Sequence, residues 1–342
     1  MKRFFLVGYY GYNNFGDDLL LLSIIKILKE TNSEYEVLIP SDTDFSFLND
    51  EKIKIVNLKR FDILSLKSYI NYCDALIYGG GNLFQSETSK RSFYYYYYIA
   101  KFAMKAKKKI ILLSQGFGPF TGKWEQKYLK KILRYPNLIG VYKDLKKYRY
   151  AKKFESKSYF GVDIGPYFVS NIKNEKNNKK FSICLKNNYN DSSKLIEFLK
   201  IFQDIEVSTL IINSNQDTMV NYNLVEDIRK NTDLKAEFPV KDFHKLINEI
   251  SSSAFLISDR LHSSLVGIYF GVPTISYYSK KNRRVIESIY KDYKYYYKNM
   301  FDISYAYYEF ETGKTDFSEI SNIYREKMSE SISLIKKIIQ SV

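Results

Sequence analysis

An apolar run at Ala254 to Ser258 breaks into Asp259-Arg260-Leu261-His262, and a helical pattern then continues from His262 to Phe270. Arginine presents a planar fork that matches a phosphate or a carboxylate. The free N–H groups at the start of a helix add further anion donors. A histidine beside them can give or take a proton near neutral pH, and Asp259 stands where it could orient either side chain. A lone histidine is more often structural, but this chain has only two, and the other, His244, falls on a charged helical segment. Lys280 and Lys281 follow soon after the Gly271-Val272-Pro273-Thr274 turn. The chemistry expected here is an anion-binding centre with an acid/base at its edge, formed by Arg260, Leu261, His262 and Lys280.

Three loops in the first half place glycine where an apolar run ends. The first, Gly8-Tyr9-Tyr10-Gly11-Tyr12-Asn13-Asn14-Phe15-Gly16-Asp17-Asp18, matches neither the dinucleotide-binding glycine pattern nor a Walker A loop, and it lacks the Lys-Ser or Lys-Thr pair that holds a triphosphate and its metal. A tight turn with no ligand is its plainer reading. The second is Tyr78-Gly79-Gly80-Gly81-Asn82-Leu83-Phe84. Each glycine weakens local structure by about 0.5–1 kcal/mol relative to alanine, so three in a row favour close approach of a substrate over packing alone. The third is Ser114-Gln115-Gly116-Phe117-Gly118-Pro119-Phe120, in which Ser114 and Gln115 are placed to donate to sugar hydroxyls. Candidate substrate-binding residues are therefore Gly11, Asn13, Asn14, Gly16 and Asp17, then Gly79, Gly80, Gly81 and Asn82, then Gln115, Gly116 and Gly118.

Short apolar runs alternate with longer amphipathic stretches, the pattern of βαβ units around parallel sheets. Strands are expected at Phe4–Tyr9, Tyr35–Ile39, Ile53–Leu58, Ala75–Tyr78, Ile110–Ser114 and Leu138–Tyr142, with helices at Leu19–Lys29, Lys101–Lys108 and Trp124–Leu133. A stretch of Asn, Lys and Glu at 171–180 interrupts the pattern and reads as a linker. A second set follows, with strands at Phe181–Leu185, Val207–Ile212, Ala254–Ser258 and Thr274–Tyr278 and helices at Lys194–Gln203, Val220–Lys230, Phe243–Ser251 and His262–Phe270. Apolar residues at helical spacing from Phe317 to Ile339 give a closing helix. The expectation is an α/β chain of two doubly wound, Rossmann-like, GT-B-like domains: residues 1–170 carrying the glycine-rich loops on an acceptor side, 181–315 carrying the arginine and histidine on a donor side, and a C-terminal helix at 316–342. In such sheets ligands bind beyond the carboxyl ends of the strands.

The chain has 342 residues, 45% of them hydrophobic and 27% charged, which suits two ordinary cores and excludes disorder. Cys73 and Cys184 are far apart in apolar runs, which points to buried thiols in a reducing compartment. No apolar stretch reaches the length of a membrane span, and the N-terminus reads as a first strand rather than a signal peptide, so a cytoplasmic location is expected. The net charge is +15, and between Lys105 and Lys157 there are 16 Lys or Arg against three acids. Such a face is either simply solvated or drawn to the anionic inner surface of a membrane. No recognition motif argues for nucleic acid. The 33 tyrosines include the run Tyr94 to Tyr98, which reads as the buried face of a helix. No spacing of His, Cys, Asp or Glu suggests a metal, and no cofactor is implied.

Taken in order, these segments resemble the polysaccharide pyruvyl transferase family: Gly8 to Asp17, the glycines at 79–81, Gln115-Gly116-Phe117-Gly118-Pro119, Arg260-Leu261-His262, Val272-Pro273 and Ser276 to Lys280. The resemblance implies a GT-B-like transferase that moves pyruvate from phosphoenolpyruvate to hydroxyls of a sugar, sugar-nucleotide or lipid-linked saccharide, forming a ketal on a cell-envelope glycan precursor. It implies that Arg260 and the Leu261 backbone hold the donor anion, that His262 is the acid/base and that Lys280 is a further anion contact. Relatives often carry arginine where this chain has Lys143 and Lys186, so the resemblance implies that both lysines contact the substrate anion, and an aspartate matching Asp163 recurs near the domain junction. Lysine keeps the charge without the bidentate geometry. Two other readings remain open, a GT-B glycosyltransferase using a nucleotide sugar and an inactive glycan-binding relative.

Overall fold

The computed structural model describes residues 1–154, 157–173, 175–186 and 193–342. The chain divides into two compact units. The first comprises Met1–Tyr12, Asp17–Phe168 and Lys327–Val342, and the second Asn13–Gly16 and Val169–Glu326.

In the first unit, β1 (Lys2–Val7), β2 (Tyr35–Pro40), β3 (Ile53–Leu58) and β4 (Ala75–Tyr78) precede a short β5 (Gly81–Phe84), then β6 (Lys109–Leu112), β7 (Gln115–Phe117), β8 (Leu138–Tyr142) and β9 (Lys157–Phe160). The main sheet runs β3-β2-β1-β4-β6-β8-β9 with every pairing parallel, while β5 and β7 pair separately beyond its edge. β2 and β4 are buried along their whole length, as strands covered on both faces must be. The helices are α1 (Phe15–Lys29), α2 (Ile63–Tyr72), α3 (Lys90–Lys105), α4 (Lys123–Leu133) and α5 (Leu145–Ala151).

α3 absorbs the tyrosine run. Ser89 caps it by accepting the Ser92 N–H at 3.2 Å, and Phe93, Tyr96, Tyr97, Ala100 and Ala103 fall on one buried face. The helix therefore starts eleven residues before the Lys101 expected from sequence, because tertiary burial overrides the strand preference of tyrosine. α2 and α5 were not foreseen. Asp62 caps the one and Asp144 the other, and each is so short that its periodicity is weak.

In the second unit, β10 (Asn177–Cys184), β11 (Glu206–Thr209), β12 (Lys235–Ala236), β13 (Ser253–Ser258), β14 (Thr274–Tyr277) and β15 (Tyr296–Tyr297) form a parallel sheet in the order β12-β11-β10-β13-β14-β15. Its helices are α6 (Ser193–Leu199), α7 (Ser214–Asn231), α8 (Phe243–Ser252), α9 (Leu261–Tyr269), α10 (Lys280–Ile289) and α11 (Met300–Glu311), and a last helix, α12 (Phe317–Gln340), begins here and ends in the first unit. β10 takes up residues 177–180 of the expected linker, and position 174 lies outside the described residues. Cys73 and Cys184 are free and buried, and burial pushes the Cys73 thiol up to about 12.

Packing accounts for part of the glycine run. The buried Tyr10 lies between Gly8 and Gly79 and donates its hydroxyl to the Gly79 carbonyl at 3.1 Å. A Cβ on Gly79 would sit 1.8 Å from that hydroxyl. Gly80 and Gly81 have φ of +94° and +82°, a region closed to most side chains. Packing and backbone conformation thus require glycine at 79, 80 and 81 before any ligand is considered. Gly79→Ala should lower stability by about 1–3 kcal/mol through overpacking. Gly313→Ala, with φ +67° and open space around it, should cost about 1–2 kcal/mol from backbone strain alone. Urea unfolding of the two variants checks this, and an unchanged midpoint for Gly79→Ala would contradict the packing.

Candidate functional site

β10 is the first strand of the second unit, with β11 and β12 on one side of it and β13, β14 and β15 on the other. The strand order therefore reverses between β10 and β13. Loops beyond the carboxyl ends of strands at such a reversal diverge and leave a crevice for a ligand. Lys186 follows β10, and Asp259, Arg260, Leu261 and His262 follow β13, so the sequence-predicted anion centre lies at the position that the topology singles out.

The turn into α9 is tied by serines. Ser258 Oγ accepts the Arg260 N–H at 3.1 Å and lies 2.6 Å from Ser263 Oγ, while the Ser263 and Ser264 hydroxyls donate to the Arg260 carbonyl at 3.0 Å. Arg260 is the N-cap residue, and the first N–H groups of the helix beyond it have no carbonyl ahead of them within the helix.

The Arg260 guanidinium is not wholly available to a ligand. Its Nε donates to both carboxylate oxygens of Asp217, at 3.1 and 3.2 Å, and its Nη2 bonds Asp217 Oδ1 and, at 2.9 Å, Gln216 Oε1. Asp217 is fully buried in the first turn of α7 and also accepts the N–H groups of Ile212 at 3.2 Å and Asn213 at 2.8 Å. These contacts use Nε and Nη2 of the arginine. Sequence reasoning began this helix at Val220 and so passed over Gln216 and Asp217. The signal was there, an asparagine cap at 213 and an acid in the first turn.

Asp259 orients neither Arg260 nor His262 by a hydrogen bond. Its backbone N–H donates to the Cys184 carbonyl at 2.8 Å, and its carboxylate accepts the Lys186 N–H at 2.7 Å and the Tyr297 hydroxyl. It thus joins the ends of β10, β13 and β15. Burial raises its pKa, and Tyr297, the Lys186 N–H and Arg260 oppose that rise.

His262 is half-buried and packs against the backbone of Gly16. A Cβ at position 16 would come within 1.9 Å of its Nδ1, so only glycine leaves room for the imidazole. The segment Asn13–Gly16 is part of this unit: the Phe15 N–H donates to the Ile212 carbonyl at 2.9 Å, the Ser214 N–H donates to the Asn13 carbonyl at 3.2 Å, Asn14 bridges Asn213, and the Phe15 ring lies 5.0 Å from Phe243. Two segments far apart in sequence, both expected to bind substrate, meet here. Lys280 is exposed at the start of α10, where Ser279 caps the helix and Asn282 holds the preceding turn through the Tyr277 carbonyl at 3.2 Å. The Lys186 side chain is exposed as well.

The first unit holds the remaining candidates. Gly11, at φ +79°, gives its N–H to Asp18 at 2.7 Å, and Asp17 Oδ1 lies 3.2 Å from where a Cβ on Gly81 would be. Asn82 Nδ2 donates to the Gly118 carbonyl at 2.6 Å, and Gly116 leaves room for the Asn82 side chain. Gln115 is buried and spends its Nε2 on the Gly116 and Gly81 carbonyls, while its Oε1 has no partner among the described residues. The Ser114 hydroxyl is committed to the Val162 carbonyl at 2.9 Å and so is not placed to donate to a sugar. Lys143 is also internal. Its ammonium lies 2.5 Å from Asp163, with side-chain exposures of 3% and 0%, which makes it one half of a buried ion pair and gives Asp163 a structural role. Among the described residues no group of His, Cys, Asp and Glu could hold a metal ion.

Removing one partner of a buried pair strands the other charge at a cost of about 3–5 kcal/mol. Lys143→Ala should show a loss of that order in urea unfolding, with part of it recovered in the Lys143→Ala/Asp163→Ala double variant. Strictly additive losses would contradict the pairing. For Asp259, a folded pKa above the unfolded value of about 3.9 means that the folded state binds the proton more tightly. Its contribution to stability is then full below the unfolded pKa and falls as pH rises through the folded one. Asp259→Asn should flatten the pH dependence of stability over that acidic window, and an unchanged slope would count against the assignment.

The fold is shared with proteins of very different sequence. A UDP-GlcNAc 2-epimerase from Neisseria meningitidis, solved bound to UDP-GlcNAc, superposes with a TM-score of 0.66 at 10% identity over 100% of both chains. A glycosyltransferase from Rickettsia africae gives 0.63 at 13% identity, covering 100% of this chain and 99% of its own. Phytolacca americana UGT2 gives 0.52 at 11% identity over 97% and 94%. At such identities the likeness is one of fold, a parallel α/β architecture of the GT-B kind. No protein of curated function matches the sequence. The polysaccharide pyruvyl transferase family model matches residues 14–281, a span that begins at the segment packed against His262 and ends just beyond Lys280, and the chain belongs to that family.

Proposed function

We propose that this protein transfers pyruvate from phosphoenolpyruvate to hydroxyls of a cell-surface glycan precursor and closes a pyruvate ketal, on the cytoplasmic side of the membrane and without a metal or cofactor. The observation that carries this reading is the meeting of His262 with Gly16 beside the Arg260 turn, at the strand-order reversal of the second unit.

The donor has a carboxylate and a phosphate, so its pocket needs several cationic groups. Lys186, Lys280, the first N–H groups of α9 and the part of Arg260 outside its Asp217 contacts are the groups we assign to it. Lys143 is left out because its charge is paired internally. In the reaction the methylene carbon of the donor gains a proton, C2 becomes electrophilic, and an acceptor hydroxyl bonds to C2 as it gives up its proton. The C2–O bond to phosphate then breaks, and a second acceptor hydroxyl bonds to C2 and completes the ketal, its proton passing to the departing phosphate. His262 serves as the acid/base, and preorganised cations meet the charge that grows on the departing phosphate. On the acceptor side, Gln115 Oε1 is a buried acceptor suited to a sugar hydroxyl, set among the glycine-rich turns at 79–82 and 116–118.

Phosphate release should be detectable on incubation with phosphoenolpyruvate and a panel of saccharide, sugar-nucleotide and lipid-linked acceptors. His262→Gln should lower kcat about 10²–10⁴-fold with donor binding retained. Gly16→Ala, whose Cβ would displace the imidazole, should lower kcat without abolishing donor binding by calorimetry. Absence of both turnover and phosphoenolpyruvate binding would overturn the proposal, and thermal stabilisation by UDP or GDP alone would favour a nucleotide-sugar transferase instead.

A further inference from the structure

The loop after β3 turns inward at Arg60 and outward immediately afterwards. Arg60 is 5% exposed and lies within 6 Å of the ring centroids of Tyr9, Tyr12, Phe61, Tyr95 and Tyr96, donating to the Tyr96 hydroxyl at 2.9 Å. The next residues project into solvent, with Phe61 71%, Ile63 54% and Leu64 82% exposed. An anchored arginine thus holds three large apolar side chains outside the core at the first turn of α2.

These side chains do not stand alone. α2 packs on α3 and α3 on α4; α2 follows β3 of the main sheet, and α3 and α4 follow β5 and β7 of the small sheet, so each first turn comes after the carboxyl end of a strand. Rings connect them: Phe61 to Tyr95 at 5.7 Å, Tyr94 to Tyr128 at 6.1 Å and Tyr128 to Trp124 at 6.2 Å. Trp124 is 60% exposed, with the Lys127 ammonium 5.0 Å from its ring centroid. The exposed charges on these turns are mainly cationic. Lys59, Lys67, Lys90, Arg91, Lys123 and Lys127 outnumber the exposed acids Asp62 and Glu87 in the stretches 59–67, 87–91 and 121–127, while Glu125 is buried.

We propose that the first turns of α2, α3 and α4 form a docking rim for an anionic lipid bilayer, with Phe61, Ile63, Leu64 and Trp124 entering the interface and the lysines meeting lipid headgroups. Large apolar side chains ringed by cations, with an interfacial tryptophan, are the composition that anionic membrane surfaces bind. A protein partner would need a matching acidic and apolar face, whereas a bilayer supplies negative charge and apolar depth together. The glycine-rich turns at 79–82 and 116–118 also lie at carboxyl ends of strands of this unit, after β4 and at β7, so a docked protein would receive a lipid-linked saccharide at its acceptor loops. That last consequence rests on the pyruvyl-transfer reading, while the docking itself does not.

Trp124 is the only tryptophan in the chain and therefore reports on this surface without labelling. With the full-length protein, vesicles of phosphatidylglycerol and phosphatidylcholine should shift its emission to the blue, brominated acyl chains should quench it, and vesicles of phosphatidylcholine alone should do neither. The Phe61→Ser/Ile63→Ser/Leu64→Ser variant should lower the vesicle affinity at least tenfold, and Lys123→Glu/Lys127→Glu should do the same while leaving the melting temperature unchanged. Lack of cosedimentation with anionic vesicles would overturn the proposal. So would binding that leaves Trp124 emission unaltered, since that would place the membrane contact on another surface of the protein. None of these readouts involves phosphoenolpyruvate or an acceptor, so a failure here and a failure of the catalytic reading are separable.

Discussion

The contact between Arg260 and Asp217 organises the second unit at its functional edge. Asp217 is fully buried, and its carboxylate draws together the backbone after β11, the first turn of α7 and the residue that opens α9. A carboxylate so placed is tolerable only because an arginine fork and two backbone N–H groups satisfy it. The same backbone at Ile212 and Ser214 receives the segment Asn13–Gly16, and that segment provides the glycine against which His262 rests. The position of the His262 imidazole thus depends on groups that never touch it, the Arg260–Asp217 pair and the backbone that holds Gly16.

The anion contact proposed for Arg260 would be a second task for this arginine. Two of its three nitrogens are bound within the protein, which fixes the guanidinium plane and reduces what it can offer to an anion. A preorganised cation with fewer free donors still stabilises developing negative charge, because it does not reorganise during the reaction. The exposed lysines at 186 and 280 have the opposite character, mobile point charges with donors to spare.

The first unit solves a different problem. Its glycine-rich turns are shaped in part by its own aromatic residues: Tyr10 fills the space between Gly8 and Gly79, and Tyr96 reaches the Gly8 carbonyl and Arg60. Tyrosine suits this task, since one rigid ring fills volume and its hydroxyl satisfies a buried carbonyl. The abundance of tyrosine, compositionally odd, is structurally coherent.

The periodicity of apolar runs determined the strand positions closely. β3, β4 and β8 have the bounds read from sequence: β4 and β8, buried almost throughout, leave short uninterrupted apolar runs, while β3, at the edge of the sheet, keeps Ile53, Ile55 and Leu58 inward around an exposed Lys54. Strand-end glycines and the Arg260 to His262 segment marked the loops that carry family identity, since unusual backbone freedom and rare residue types are visible one residue at a time. Partnership was not legible. Lys143 read as an anion contact and is internally paired with Asp163; Ser114 read as a sugar donor and bonds the Val162 carbonyl; Asp259 read as an orienting group and joins three strand ends. A charged or hydroxyl side chain has the same sequence signature whether it meets a ligand or its own protein. Only the tertiary structure decides which, because burial removes water as the default partner and obliges each polar group to find one within the fold.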